Sequence, residues 1–215
     1  MRRKASIAVT LLALSPSLAG AADPRPARMV IPVYSELVTL SAPQGFSSKF
    51  ENAQGPHYIH ELVPNGETVE SWTEMVTISG YQGLSSKADL TPQIFTGGIA
   101  AGFQRACPNT FAATNVGITK VDGHDAFGAV ISCGSIGSIE GDGKLHSESA
   151  LIIVIKGTAD YYTVQWADRG PASATAIGFD APKWSDRARQ LAPIGFCPVV
   201  PGEKAPYPSC TNRRP

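Results

Sequence analysis

Long hydrophobic runs are scarce in this chain. The longest candidate, Ala5 to Leu14, is about ten residues, half of the roughly twenty that cross a bilayer, so it reads as a targeting segment and not an anchor. Charge of one sign is not in excess, with 18 Lys and Arg against 18 Asp and Glu. After residue 21 the chain lacks G-x-S-x-G and S-x-x-K, and no H-E-x-x-H, EF-hand or P-loop pattern occurs. No catalytic residue is therefore assigned. Close C-x2-C pairs are also missing, and the nearest two cysteines stand 13 positions apart, which disfavours zinc. No repeat period is present, and no motif implies a metal or a cofactor.

What the N-terminus does hold is the basic run Met1-Arg2-Arg3-Lys4, the apolar stretch after it, and the small-residue site Ala19-Gly20-Ala21. This order predicts a signal peptide over residues 1–21, cleaved after Ala21. The residues after the paired arginines do not build a twin-arginine motif, and no cysteine stands at the cleavage point for lipid attachment. The mature chain is expected to be soluble, in the periplasm or secreted. Cleavage removes Arg2, Arg3 and Lys4 but no acid, leaving 15 basic against 18 acidic side chains. A mildly acidic protein is a poor match for nucleic acid or an anionic membrane surface, and the one basic cluster, Arg213-Arg214, reads as a solvated tail. Residues 22–29 read as a flexible segment, 30–197 as one folded domain, and 198–215, with prolines at 198, 201, 206, 208 and 215, as a proline-rich tail.

All four cysteines, Cys107, Cys133, Cys197 and Cys210, fall after the cleavage point. An even number in an oxidising compartment predicts two disulfides, with three possible pairings. Cys107–Cys133 and Cys197–Cys210 are favoured because they close the shortest loops.

Strand patterns dominate the rest. Val30 to Leu40 reads as one strand ended by Pro43-Gln44-Gly45, and His57 to Val63 alternates, with Tyr58, His60 and Leu62 on one face. Pro64-Asn65-Gly66 turns the chain into a short helical or turn segment at Glu67–Trp72 and a strand at Thr73–Ser79. Phe95, Ile99, Phe103 and Ala106 then follow a helical stripe capped by Thr91 or Asp89, weakened by Gly97-Gly98, which implies close packing or a bend there. Asn115–Val121 and Ala126–Cys133 read as strands joined by Asp122-Gly123, and Gly134–Ser147 as a mobile loop. Leu151-Ile152-Ile153-Val154-Ile155 is apolar throughout, the mark of a strand covered on both faces. Tyr161–Trp166 and a helix from Pro182, with Trp184, Ala188 and Leu191 on one stripe and Pro193 ending it, complete the order. The fold class is α+β: an antiparallel sheet of six or seven strands with two helices packed on it.

The run Tyr58-x-x-Glu61-x-x-Pro64-x-Gly66-Glu67-x-x-x-x-Trp72-Thr73-x-Met75 resembles a pattern of small exported bacterial proteins of uncharacterised function, and the element order is similar to the Mog1/PsbP-like fold. That resemblance implies a scaffold for binding roles and carries no catalytic residue.

The candidate binding residues are Tyr58, His60, Glu61, Glu67 and Trp72. One reading is an acidic pair, Glu61 and Glu67, beside Trp72 at a groove edge; the other has Glu67 accepting backbone N–H bonds at the turn and Trp72 in the core. His57 and His60 point to opposite strand faces and cannot share a metal. Ser135 misses the nucleophile spacing, and His124-Asp125 follows a hairpin turn. The function expected is an exported binding or accessory protein without catalysis of its own, meeting a protein or small molecule of the cell envelope through a sheet edge, the Tyr58/Trp72 neighbourhood or the 134–147 loop. The alternative is a secreted hydrolase with a site dispersed in sequence.

Overall fold

A computed structural model describes residues 28–137 and 144–212; the proposed signal peptide, Arg213-Arg214 and the middle of the glycine-rich segment lie outside the described residues. The stretch from Val30 to Leu40 is not one strand but a hairpin, β1 (Arg28–Val33) and β2 (Glu36–Ser41). Tyr34 takes a left-handed φ of 53° at the reversal, a conformation unfavourable for a residue with a Cβ. The buried Asp160 carboxylate holds it, accepting from the Ser35 N–H at 3.1 Å and the Ser35 hydroxyl at 2.5 Å. Addition of β11 (Gly195–Pro198) beside β2 makes a three-stranded antiparallel sheet.

The larger sheet comprises β3 (Phe46–Gln54), β4 (His57–Pro64), β5 (Glu74–Tyr81), β6 (Phe111–Asn115), β7 (Lys120–Val121), β8 (His124–Gly137), β9 (Leu145–Lys156) and β10 (Tyr161–Pro171). Its order is β3-β4-β5-β10-β9-β8-β6, with β7 paired to β8, all antiparallel. Three helices, α1 (Pro92–Ala106), α2 (Ala181–Leu191) and the short α3 (Pro208–Thr211), accompany the sheets. The α+β class stands, but among the described residues a single sheet with two helices is replaced by two sheets and three α-helices.

Side-chain alternation explains the layering. Val76, Ile78, Val164, Trp166, Ile153 and Ile155 share one face of the large sheet and bury against Val33, Val38 and Leu40 of the small sheet and Trp184 and Leu191 of α2. Ile131, Ala150, Ile152, Val154 and Tyr161 face the other way, onto Phe95, Ile99 and Phe103 of α1. β9 is thus apolar at every position from 151 to 155 because both faces are covered. Thr91 caps α1, its hydroxyl accepting from the Ile94 N–H at 3.2 Å; Gly97 and Gly98 have open space where a Cβ would sit, and nothing in the structure explains the pair.

Several sequence expectations change. β3 carries no apolar alternation because most of it is exposed, so its pattern gives no strand signal. Asn115–Val121 is not one strand: β6 ends at Asn115, and Gly117, at φ 75°, interrupts the chain before β7. Of the helical and turn alternatives at Glu67–Trp72, the structure has the turn. The glycine-rich 134–147 segment is not all loop, since β8 runs to Gly137 and β9 starts at Leu145; a Cβ at Gly134 would lie 2.1 Å from the Thr175 carbonyl oxygen, so glycine there permits a close chain crossing. Cys107 pairs with Cys133, fastening the end of α1 to β8, and Cys197 pairs with Cys210, fastening α3 to β11. Cys210 is fully buried, so the proline-rich C-terminal segment is tied to the body by this bridge.

Candidate functional site

α1 lies over β6, β8 and β9, leaving the other half of the same sheet face open over β4, β5 and β10. The open half forms the floor of a groove of about 630 Å³. Strand register sets its rows: Glu61 stands across from Phe50 on β3 and Thr77 on β5, and Thr77 across from Gln165 on β10. Ile59, Ser79, Met75 and Ala167 complete the floor, and Tyr81 closes one side by packing edge-on against Phe95 of α1 at 4.9 Å between ring centroids.

The far wall is the 67–73 turn, which carries Val69, Glu70 and Trp72 into the groove lining. Glu67 pins it: its carboxylate accepts from the Thr73 N–H and the Thr73 hydroxyl, each at 2.7 Å, while the Glu67 N–H donates to the Pro64 carbonyl at 3.0 Å. Trp72 is half-buried at the rim. The Arg169 guanidinium lies 3.7 Å from the Trp72 ring centroid, and Arg169 Nε donates to Glu148 at 3.1 Å. Glu61 is different. Among the described residues no cation pairs with it; burial, and after it the Glu70 carboxylate, push the Glu61 carboxyl above its ordinary range.

The sequence candidates therefore divide. Glu61 and Trp72 line the groove, and Glu67 braces its wall. Tyr58 and His60 are on the opposite face of β4, because residues 58, 60 and 61 cannot all share a strand face, so the Tyr58/Trp72 neighbourhood is not one surface. Tyr58 is buried, donating its hydroxyl to Glu51 at 2.7 Å and lying 3.3 Å from His60 Nδ1. Burial lowers the His60 pKa despite the nearby Glu51 carboxylate.

No family model matches the chain. No curated protein matches it either. Among solved structures the chain is similar to a protein from Bacteroides thetaiotaomicron, at 12% identity and a TM-score of 0.39, over 78% of this chain and 47% of that one. It thus spans about half the length of that protein. It is also similar to LpqN, a protein involved in cell envelope biogenesis of Mycobacterium tuberculosis, at 13% identity and a TM-score of 0.44, over 81% of this chain and 91% of that one. The functional reading rests on the groove's own residues.

Ser35 and His124 share a smaller recess of about 300 Å³ with Glu36 and Thr158. There the Ser35 hydroxyl donates to Asp160, and the His124 ring packs edge-on against Phe196 at 5.0 Å; among the described residues no hydrogen bond joins His124 to Ser35. Burial works against the charge of Asp160, yet bonds from the Ser35 hydroxyl, the Gly83 and Ser35 N–H groups and Tyr162 outweigh it and hold the carboxyl below its ordinary range. Asp160 is a structural hub joining both sheets, with its partners already in place. A third recess of about 500 Å³, under α2, is lined by Val116, Ile118, Phe179 and Trp184. Among the described residues no group of three or more His, Cys, Asp or Glu is placed to hold a metal ion, and no helix is long and apolar enough to cross a membrane.

Phe50, Glu70, Thr77, Glu148, Gln165 and Arg169 were not legible as site residues. Thr77 and Gln165 alternate with buried apolar neighbours, which a solvent-facing strand shows equally, and the other four lack even that pattern.

Proposed function

We propose that this is an exported binding or accessory protein, periplasmic or secreted, that recognises a small molecule of the cell envelope in the groove beside α1 without chemistry of its own. The observation that carries the reading is the half-covered sheet face: α1 seals one half, while the other keeps a groove whose lining mixes Phe50, Val69, Trp72 and Met75 with Glu61, Thr77 and Gln165. Two disulfides suit an oxidising compartment, and the resemblance of the Tyr58–Met75 motif to small exported proteins agrees with this.

The test is amide chemical-shift mapping of the mature chain against low-molecular-weight extract from the envelope of the source cells. Shifts confined to β4, β5, β10 and the 67–73 turn, and abolished by the groove-filling Thr77→Trp at an unchanged melting midpoint, are the expected result. Shifts that gather elsewhere, or survive Thr77→Trp, overturn the assignment of the groove.

A further inference from the structure

The charges lining the groove do not cancel. Among the described residues that line it, Glu61, Glu70 and Glu148 face one cation, Arg169, while Lys144 lies in the adjoining recess that Glu70 also lines. Arg169 is already engaged by Glu148, within a cluster that also places His146 Nε2 3.5 Å from the same carboxylate oxygen. What is left over is Glu61 with Glu70 near enough to repel it, while apolar Phe50, 40% exposed, stands directly across from Glu61 on β3. Among the described residues no ion pair reaches Glu61 or Glu70.

We propose that the groove takes a small organic cation, its ammonium or guanidinium group held by Glu61 and Glu70 and its apolar body lying along Phe50 and Val69. The inference rests on the groove being a binding site. Three features carry it beyond the pair of carboxylates. The groove has the volume of a small-molecule site, about 630 Å³. Its lining puts exposed apolar surface next to an excess of carboxylates over cations, the combination an amphipathic cation satisfies on both counts. The groove also already holds one guanidinium by the same chemistry, since Arg169 is stacked over Trp72 and bonded to Glu148.

A cation between the two carboxylates replaces repulsion with attraction, so it stabilises the ionised form of Glu61 and lowers its raised pKa on binding. The affinity is therefore greatest where Glu61 is ionised and falls as pH drops through its free-state value. Salt weakens it, because Glu70 is exposed and its field is screened within about 8–10 Å at physiological ionic strength.

The experiment titrates 2-phenylethylammonium, neutral 2-phenylethanol and anionic 3-phenylpropionate into the mature protein, followed by amide chemical shifts. The expected result is saturable shifts at 57–61, 69–72 and 75–79 with the ammonium, at least about tenfold weaker binding of the other two, and a comparable loss in Glu61→Gln/Glu70→Gln. Glu61→Gln removes a carboxylate that burial and Glu70 disfavour, and the single variant Glu70→Gln, at an exposed position that hydrogen-bonds Thr68, provides a check in a background that keeps Glu61, with the melting midpoint of each variant showing that it is folded. If the neutral or anionic probe binds the same amides as well as the ammonium does, or the double variant keeps full affinity, the cation inference falls while the groove survives as a site. If the ammonium shifts amides only around Phe179 and Trp184, the groove reading falls with it. Absence of saturable shifts with the ammonium at millimolar concentration overturns the cation inference.

Discussion

One face of one sheet presents two surfaces. Under α1, the face of β8 and β9 is Ala129, Ile131, Ile152 and Val154, buried with Phe95, Ile99 and Phe103. Along the same rows, on β4, β5 and β10, the positions are Glu61, Thr77, Ser79 and Gln165, and among the described residues no helix covers them. Row by row the strands stay in register while the chemistry switches from sealed to open at the Tyr81–Phe95–Tyr161 aromatic contact. A sheet face thus serves as core where a helix is anchored to it and as the floor of an open groove where the helix stops short. The 26-residue loop closed by Cys107–Cys133 holds the helix to its half.

The sharpest way to break this comparison is to cut matched positions in the same row. Ile152→Ala, fully buried under α1, is expected to cost about 2–5 kcal/mol through lost burial and a cavity, whereas Thr77→Ala in the groove should change stability by less than about 1 kcal/mol. Denaturant unfolding of both variants decides it, and similar losses would mean that the open half is as packed as the covered half. Replacing Cys107 and Cys133 together by serine removes the anchor of α1 and is expected to cost about 2–4 kcal/mol; an unchanged midpoint would show that Phe95, Ile99 and Phe103 hold the helix unaided.

Smaller effects belong to the groove wall. Trp72 is half-buried with Arg169 on its ring, so Trp72→Ala should cost about 1–2 kcal/mol, below a core truncation; a calorimetric loss above this would place the ring in the core. Glu67→Gln keeps one acceptor and gains a donor that the Thr73 hydroxyl can accept, so it should cost less than about 1 kcal/mol, and amide exchange at Thr73 reports whether the turn holds. The smallest effect is at Glu61. Its folded-state pKa is raised above its unfolded value, so the folded chain binds the proton more tightly and ionisation costs stability. That cost is fully present above the raised pKa and absent below the ordinary value of 4.5. Glu61→Gln should therefore melt above the parent at neutral pH, with the gap closing in acid; a variant that melts lower at neutral pH would place a favourable partner beside Glu61.

Local chemistry was readable wherever a residue's neighbours along the chain set its state. The alternation of His57–Val63 and the stripe Phe95–Ile99–Phe103 announce β4 and α1, Thr91 caps the helix, and Leu151–Ile155 declares a strand covered on both faces. The cysteine spacing favours the two bridges that the structure contains. Illegible were the hairpin at Tyr34, whose left-handed backbone depends on Asp160 from 125 positions away, and β3, an exposed edge whose pairing is carried by backbone. The groove belongs to the same class. Glu61, Thr77 and Gln165 are separated in sequence and carry the pattern of any wet strand face, and only the register of three strands and the placement of α1 over the adjacent half make them one surface. Sequence determines which side of each strand is polar, because side chains alternate; tertiary structure alone decides which polar sides meet, because hydrogen-bonded register and helix docking join residues that have no relation along the chain.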